Sequence, residues 1–416
     1  MQLLKSCTGG LLMKKIVILL LILTFAVFTN SFLFAAGSGD VNNDGKIDII
    51  DALMVAQYSV GITPPGFISA NGDVNSDGII NIIDALMIAQ MYVNGSGSET
   101  KILIPHASWP CGMPEGIPRP ENGTLVFEVT MQLDQIYNIG KTQYGQRQAI
   151  IIKSGTISST KVNGSIQSGG LDFQLNLSNG AIEIEQLLVI RTSAGNYIFM
   201  RNAGTAANQS DVRMVFDFEA PSSGSDNWLN SGKYAGRRVI DTTAGTMKIS
   251  VYDISGISVI PDANNSITVT KPADILYQSW NYRIADPAER KGNQFIIESV
   301  ALGSSQSVGT TKRGNRNIIP ITGGDVTGNI TARILAAGAD YQNLSNPMTI
   351  DARYLWQTND GEIIIVRNGG QFGSLVPTFE VRAASQYASL NKNLYLSSDP
   401  GMGTGGVQIT FYESVK

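Results

Sequence analysis

The stretch GDVNNDGKIDIIDALMVAQ at residues 39–57 returns as GDVNSDGIINIIDALMIAQ at 72–90, with fifteen of nineteen positions identical and a spacing of 33. Nothing else in the chain narrows its fold as much. With Asp40 as position 1, oxygen-bearing side chains fall at Asp40, Asn42, Asp44, Asp48 and Asp51, with Gly45 at position 6 and the Lys46 carbonyl at 7. The second copy supplies Asp73, Asn75, Asp77, Asn81 and Asp84, with Gly78 at the turn and the Ile79 carbonyl at 7. That is the spacing of a Ca²⁺ loop, in which a hard cation collects six to eight oxygens around a sharp glycine turn. A simple Asp/Asn/Gly-rich turn would not repeat its ligands in register. Two Ca²⁺ ions are expected, one per loop. Loop one offers four carboxylates and loop two three, because Asp48 becomes Asn81, so the second site is expected to be the weaker.

Position 12 is Asp51 or Asp84 where an EF-hand carries a bidentate Glu, and the first loop has no entering helix. Only the exiting helices remain, IIDALMVAQYS and IIDALMIAQMY. They set Ile50, Leu53 and Met54, then Ile83, Leu86 and Met87, at helical spacing on one face. Pro64, Pro65 and Gly66 end the first helix. Loop then helix, twice, over residues 38–94 closely resembles the type I dockerin family. The resemblance implies Ca²⁺-dependent folding and docking to a cohesin module on a scaffoldin or cell-surface protein. It also implies a place in a cellulosome-like assembly that degrades plant polysaccharide. In that family positions 10 and 11 of each loop help to select the cohesin and often hold hydroxyl pairs; here they are Ile49-Ile50 and Ile82-Ile83. These four are the candidate partner-binding residues, with Ile50 and Ile83 reading more simply as the module's own core. Two near-identical half-sites give the module approximate two-fold symmetry, so either helix can be offered to one partner surface.

Upstream, Lys14 and Lys15 precede an apolar run from Ile16 to Phe28, and small residues follow at Ala35, Ala36, Gly37 and Ser38. Residues 1–36 therefore read as a secretory signal cut near 35–38, and the mature protein as extracellular with no membrane span. An uncleaved anchor is the alternative, since apolar character persists to Phe34. Removal of Cys7 leaves Cys111 alone, so no internal disulfide is expected. Charged residues make up 15 % and the net charge is -4, which excludes a basic nucleic-acid footprint.

After a Gly/Ser linker at 95–100 the pattern changes to short alternating or β-branched runs such as TLVFEVTMQL, QAIIIKSGTIS, AIEIEQLLVIRT and MKISVYD. About eight strands per unit are expected, in an all-β sandwich or barrel. The unit occurs twice, over 101–255 and 271–416. GKTQYGQRQAIIIKSGTIS from Gly140 aligns with GTTKRGNRNIIPITGGDVT from Gly309, GGLDFQ with AGADYQ, and AGNYIFMRNAG with DGEIIIVRNGG. WLNSGKY faces SLNKNLY, ISVYD faces ITFYE, and the lead-ins to Trp109 and Trp280 correspond. These motifs resemble a widespread family of small domains, mostly of unknown function. The resemblance implies a compact antiparallel β-barrel in each copy and no established chemistry. The expected fold is thus multidomain, a small all-α dockerin followed by two homologous β-barrel-like domains.

The recurring polar positions are Arg147/Arg316, Asp172/Asp340, Glu185/Asp351, Arg201-Asn202/Arg367-Asn368 and Tyr252/Tyr412. Two carboxylates and an Arg in one barrel mouth would suit glycoside hydrolysis or a proton-transfer lyase. The same residues also suit a turn cap and a structural ion pair. His106 is the only histidine, which rules out a Ser/His/Asp arrangement or a His-based metal site in both copies. No cofactor is implied for the barrels. Trp109, Trp228, Trp280 and Trp356, with Tyr197, Tyr341 and Tyr354, are candidate flat faces for sugar rings or, alternatively, core. Three readings of the cargo follow: a carboxylate-based enzyme acting on polysaccharide, a non-catalytic glycan-binding subunit, and a small-ligand barrel displayed on the scaffold.

Overall fold

A computed structural model describes residues 39–416 apart from 45–46, 76, 96–100, 110, 210, 278–280 and 404–405. The expected signal segment with Cys7, most of the linker, Gly45, Lys46 and Trp280 lie outside the described residues. The chain divides into two compact units, one up to residue 99 and one from residue 100.

The first unit holds α1 (Ile49–Ser59) and α2 (Ile82–Gly95), each launched from the end of its loop. Asp48 Oδ1 accepts from the Ile50 amide at 2.7 Å, while Asp51 Oδ2 accepts from the Asp48 amide at 2.8 Å, a capping box. Asn81 and Asp84 repeat it at 2.7 and 2.9 Å. Asp51 and Asp84 are buried because their other oxygens accept from Val41 and Val74. That burial fixes each helix's rotation, so the core is Val41, Ala52, Met54, Val55, Val74, Ala85 and Ile88. Ile50, Leu53, Ile83 and Leu86 lie on the other side and are about half exposed, at 49 %, 52 %, 53 % and 58 %. The expected core face containing Ile50 and Ile83 is therefore corrected; an inward Asp at position 12 turns its preceding neighbour outward.

The second unit is all-β. After β1 (Ile102–Ile104) come β2 (Thr124–Thr142), β3 (Gly145–Ser158), β4 (Gly164–Ile166), β5 (Gly170–Asn176) and β6 (Ile182–Thr192). β7 (Tyr197–Ala206), β8 (Arg213–Glu219), β9 (Tyr234–Asp241) and β10 (Thr246–Asp253) complete the first copy. The ladder β2-β10-β9-β8-β7-β6-β5-β3 returns to β2 and closes an eight-stranded antiparallel barrel, with β4 bridging β3 and β6. Its interior is apolar, with Val129, Met131, Ile150, Leu188, Met200, Phe218 and Met247 in one cluster.

β11 (Ser266–Thr268) runs parallel to β1, and both pack with Trp109, Cys111 and Val269 against the outside of the first barrel. The second copy comprises β12 (Arg290–Leu302), β13 (Gln306–Thr311), β14 (Gly314–Gly328), β15 (Ala332–Ile334), β16 (Ala339–Asn343) and β17 (Thr349–Thr358). It ends with β18 (Ile363–Gln371), β19 (Val376–Glu380), β20 (Tyr395–Ser397), β21 (Gly401–Gly403) and β22 (Gly406–Val415). Its sheet runs β19-β18-β17-β15-β14-β12-β22-β20, with β16 paired to β14 and β17. Where β9 has eight residues β20 has three, and β19 and β20 share no ladder, so this sheet is barrel-like rather than closed. The two copies share apolar layers: Ile151, Leu171 and Phe173 pack with Leu355 and Ile365, and Leu187 and Phe199 with Ile318 and Tyr341.

Candidate functional site

In each loop of the first unit the leading oxygen residues gather on one amide. The Asp44 N–H donates to Asn42 Oδ1 at 2.9 Å and Asp40 Oδ1 at 3.2 Å, and Asp77 repeats this with Asn75 and Asp73 at the same two distances. An all-oxygen set of this kind fits a hard cation such as Ca²⁺, which Asp40, Asn42 and Asp44, and their counterparts, would hold. Asp51 and Asp84 accept from the loop's own amides, and Asp48 and Asn81 accept from the first turn of each helix. The Ile79 carbonyl accepts from Asn81 Nδ2 at 3.3 Å. Among the described residues no three Asp, Glu, His or Cys side chains close on one point.

The barrel candidates do not converge on one mouth. β5 and β6 pair Asp172 with Gln186 and Phe173 with Glu185, so Asp172 and Glu185 point to opposite faces of the wall. Inside the first barrel Asp172 receives Arg238 Nη1 at 2.8 and 3.0 Å and Gln186 Nε2 at 2.8 Å, and Asn202 Nδ2 donates to Gln186 Oε1 at 2.7 Å. Outside, Glu185 is buried against the other copy. Arg367 Nη2 donates to it at 2.7 Å, Arg353 pairs with it, and Arg201 stands 3.9 Å away. In the second copy Asp340 faces inward, whereas Asp351 faces the shared wall and pairs with Arg353 at 2.9 Å. Burial pushes the Asp351 carboxyl up to about 6 against the pull of Arg201 and Arg367. The expectation of two carboxylates in one barrel mouth is therefore corrected: a wall buried on both sides carries one of them on each face.

Arg147 Nε donates to Glu380 Oε1 of the second copy at 2.8 Å, and Arg316 Nη2 to Glu219 Oε1 of the first at 2.7 Å. Thr142 and Thr311 donate to the same two carboxylates at 2.7 and 2.8 Å. The main chain repeats the exchange, with Ala383 N to Lys141 O and Ser222 N to Thr310 O, both at 2.8 Å. The copies therefore meet about an approximate two-fold axis. Glu219 and Glu380 are absent from the sequence candidates, although DFEA and TFEV recur as plainly as the motifs chosen. Asn230 and Asn391 brace the residue after each Glu through paired 2.9 Å bonds.

The mouth of the first barrel opens into a cavity of 670 Å³ lined by Glu121, Gln148, Gln174, Asn176, Arg237 and Arg238, among others. Arg237 is held there by Glu121 Oε1 at 2.7 Å and by Asp211. Of the aromatic candidates, Trp109, Trp356, Tyr341 and Tyr354 are buried; Trp228 is half-buried beneath Lys161, and Tyr197, Tyr252 and Tyr412 are half-buried. None of them lines this mouth.

A family profile described as Protein of unknown function (DUF3237) matches residues 122–255 and 294–374, and one described as Dockerin type I domain matches residues 38–93. A UPF0311 protein of Bradyrhizobium diazoefficiens is 36 % identical over 107 residues, which are 25 % of this chain and 69 % of that protein. UPF0311 proteins of Rhodopseudomonas palustris and Clostridium acetobutylicum are 38 % and 35 % identical over 76 and 80 residues. These stretches are 17 % and 19 % of this chain and about half of each relative. A solved β-barrel like protein from Acinetobacter baumannii matches 32 % of this chain and 94 % of its own at 19 % identity, with a TM-score of 0.29. A protein with unknown function from Clostridium acetobutylicum matches 32 % of this chain and 97 % of its own at 26 % identity, with a TM-score of 0.29.

Proposed function

The chain belongs to the DUF3237 family, carrying that domain twice behind a type I dockerin, and we propose that it is a secreted, scaffold-borne subunit that binds glycan without cleaving it. The dockerin supports docking to a cohesin in a cellulosome-type assembly. Among the described residues no helix is long and apolar enough to cross a membrane. Two Ca²⁺ ions, one per loop and the second more weakly held, would fix the loops from which α1 and α2 start.

One observation carries the cargo reading, the polar mouth of the first barrel. Gln148, Gln174 and Asn176 present amides that both donate and accept, and Arg237 and Arg238 add fixed donors, a set matched to sugar hydroxyls. Hydrolysis is disfavoured there because, among the described residues, Glu121 is the only carboxylate in the lining and already pairs with Arg237. Acid–base cleavage of a glycosidic bond needs two carboxylates flanking it. Titration calorimetry of the full chain with soluble plant polysaccharides should show saturable binding without release of reducing ends. The Gln148→Ala/Gln174→Ala double variant should bind about tenfold more weakly, two net hydrogen bonds being lost. Reducing-end release, or unchanged affinity in that variant, would overturn the reading.

A further inference from the structure

The two copies share a wall but not an interior. In the first copy both Asp172 oxygens are engaged, by Arg238 and Gln186. Register shows what became of these partners in the second. Asp172 lies opposite Gln186, and Asp340 lies opposite Ala352. Gly236 pairs with Val251 as Ser397 pairs with Phe411, so Asp399 occupies the place of Arg238. Asp399 lies beyond the end of β20 and accepts from the Gly373 amide at 2.7 Å instead. Both partners of the inward carboxylate are thus gone, and their side-chain volume with them.

What remains inside the second barrel is a cavity of 170 Å³, walled by Val300, Leu302, Ile321, Met348, Ile350 and Leu375 among others. Asp340 and Asn368 face into it. Asp340 Oδ2 receives Gln342 Nε2 at 2.7 Å and Asn368 Nδ2 donates to Ser397 Oγ at 3.1 Å. The remaining oxygens, Asp340 Oδ1 and Asn368 Oδ1, are shut off from solvent with no hydrogen-bond partner among the described residues. Two orphaned acceptors in an apolar chamber are costly unless something donates to them.

We propose that this cavity is a binding site for a neutral molecule of one six-membered ring bearing a hydroxyl group, the hydroxyl donating to Asp340 Oδ1. An apolar cavity of roughly 150 Å³ takes up benzene, so a chamber of 170 Å³ admits one six-membered ring. The apolar walls reward the ring, and the orphaned carboxylate oxygen rewards one donor upon it. A ring carrying a carboxylate would meet Asp340 with like charge. One carrying an ammonium would have to be stripped of water in a chamber with two acceptors for three donors. Burial raises Asp340 to about 6, with the Gln342 bond pulling the other way, so at neutral pH it is chiefly an acceptor.

Phenol and toluene have the same shape and differ in the donor, which makes them the probes. Calorimetry or ligand-observed NMR on the full chain should show phenol binding one to one, about tenfold or more tighter than toluene. Asp340→Leu, which keeps roughly the volume and removes both oxygens, should abolish that preference. Ala352→Gln returns the residue of the first copy, fills the cavity and offers Asp340 an amide; it should abolish phenol binding while the unfolding midpoint holds or rises. The Gln148→Ala/Gln174→Ala variant should bind phenol as the parent does, which separates this site from the glycan mouth. Equal affinity for the two probes, no binding of either, or phenol binding that survives Ala352→Gln would overturn the proposal.

Discussion

Glu298 shows how far one side chain can depart from its usual chemistry. It lies within the second barrel, where Tyr354 Oη donates to both its oxygens at 2.8 and 2.9 Å and Trp356 Nε1 donates at 2.7 Å. Among the described residues no cation faces it, and burial pushes the carboxyl up to about 8 against the pull of those two donors. The unfolded chain releases this proton near pH 4.5 while the folded one keeps it to about 8, so stability falls as pH rises across that window. Glu298→Gln should remove that fall: in urea unfolding, the variant should gain of the order of 3 kcal/mol on the parent between pH 4.5 and pH 8.5. Parallel pH profiles for the two proteins would refute it. Recurrence between the copies picked out Arg147, Asp172, Glu185 and Asn202, but it could not say which face each occupies. β6 is buried at nearly every position, so the usual alternation of polar and apolar residues is silent there. Recurrence also passed over Gln186 and Arg238, because the second copy has Ala352 and Asp399 in their places.

At the scale of elements, the two helices were legible from their loops, but their orientation was not. Spacing alone placed Ile50 and Ile83 inward, whereas the buried Asp51 and Asp84 turn them outward. Each helix consequently presents Ile49, Ile50 and Leu53, or Ile82, Ile83 and Leu86, as an apolar patch beside its loop. With two equivalent patches, replacing one isoleucine pair should leave the other competent. Ile49→Asp/Ile50→Asp should change cohesin affinity by no more than about twofold, the loss expected when one of two equal sites disappears. The fourfold variant that adds Ile82→Asp/Ile83→Asp should not bind, while its far-ultraviolet spectrum with Ca²⁺ stays helical. A panel of cohesins read by surface plasmon resonance would decide, and full binding by the fourfold variant would refute the assignment. Strand length proved equally telling: β20 stops after three residues where β9 runs for eight, and that shortening separates the two interiors.

Across the whole second unit, buried ion pairs gather where the copies meet. Glu185 is fully buried with Arg353 and Arg367 of the other copy, so its removal takes one carboxylate from two buried guanidinium groups and leaves Arg353 paired with Asp351. Glu185→Ala should cost about 3–5 kcal/mol in urea unfolding, and both barrels should lose their structure in one transition. A loss below about 1 kcal/mol, as exposed pairs give, would show that the wall does not depend on this pair. The duplication itself was readable from six matched motifs, and the barrel from the family those motifs resemble. That the copies bond reciprocally through Arg147–Glu380 and Arg316–Glu219 was not, because each partner sits far off in the chain.

A symmetric homodimer has one gene for both faces, so any change made on one side of its axis appears on the other. Here the axis runs between two stretches of a single chain, and each side can drift alone. The shared wall keeps its reciprocal bonds while one chamber loses a glutamine and an arginine and the other retains them. Two copies in one chain therefore make two pockets that can vary independently, and a new specificity can arise in one without surrendering the old one next door.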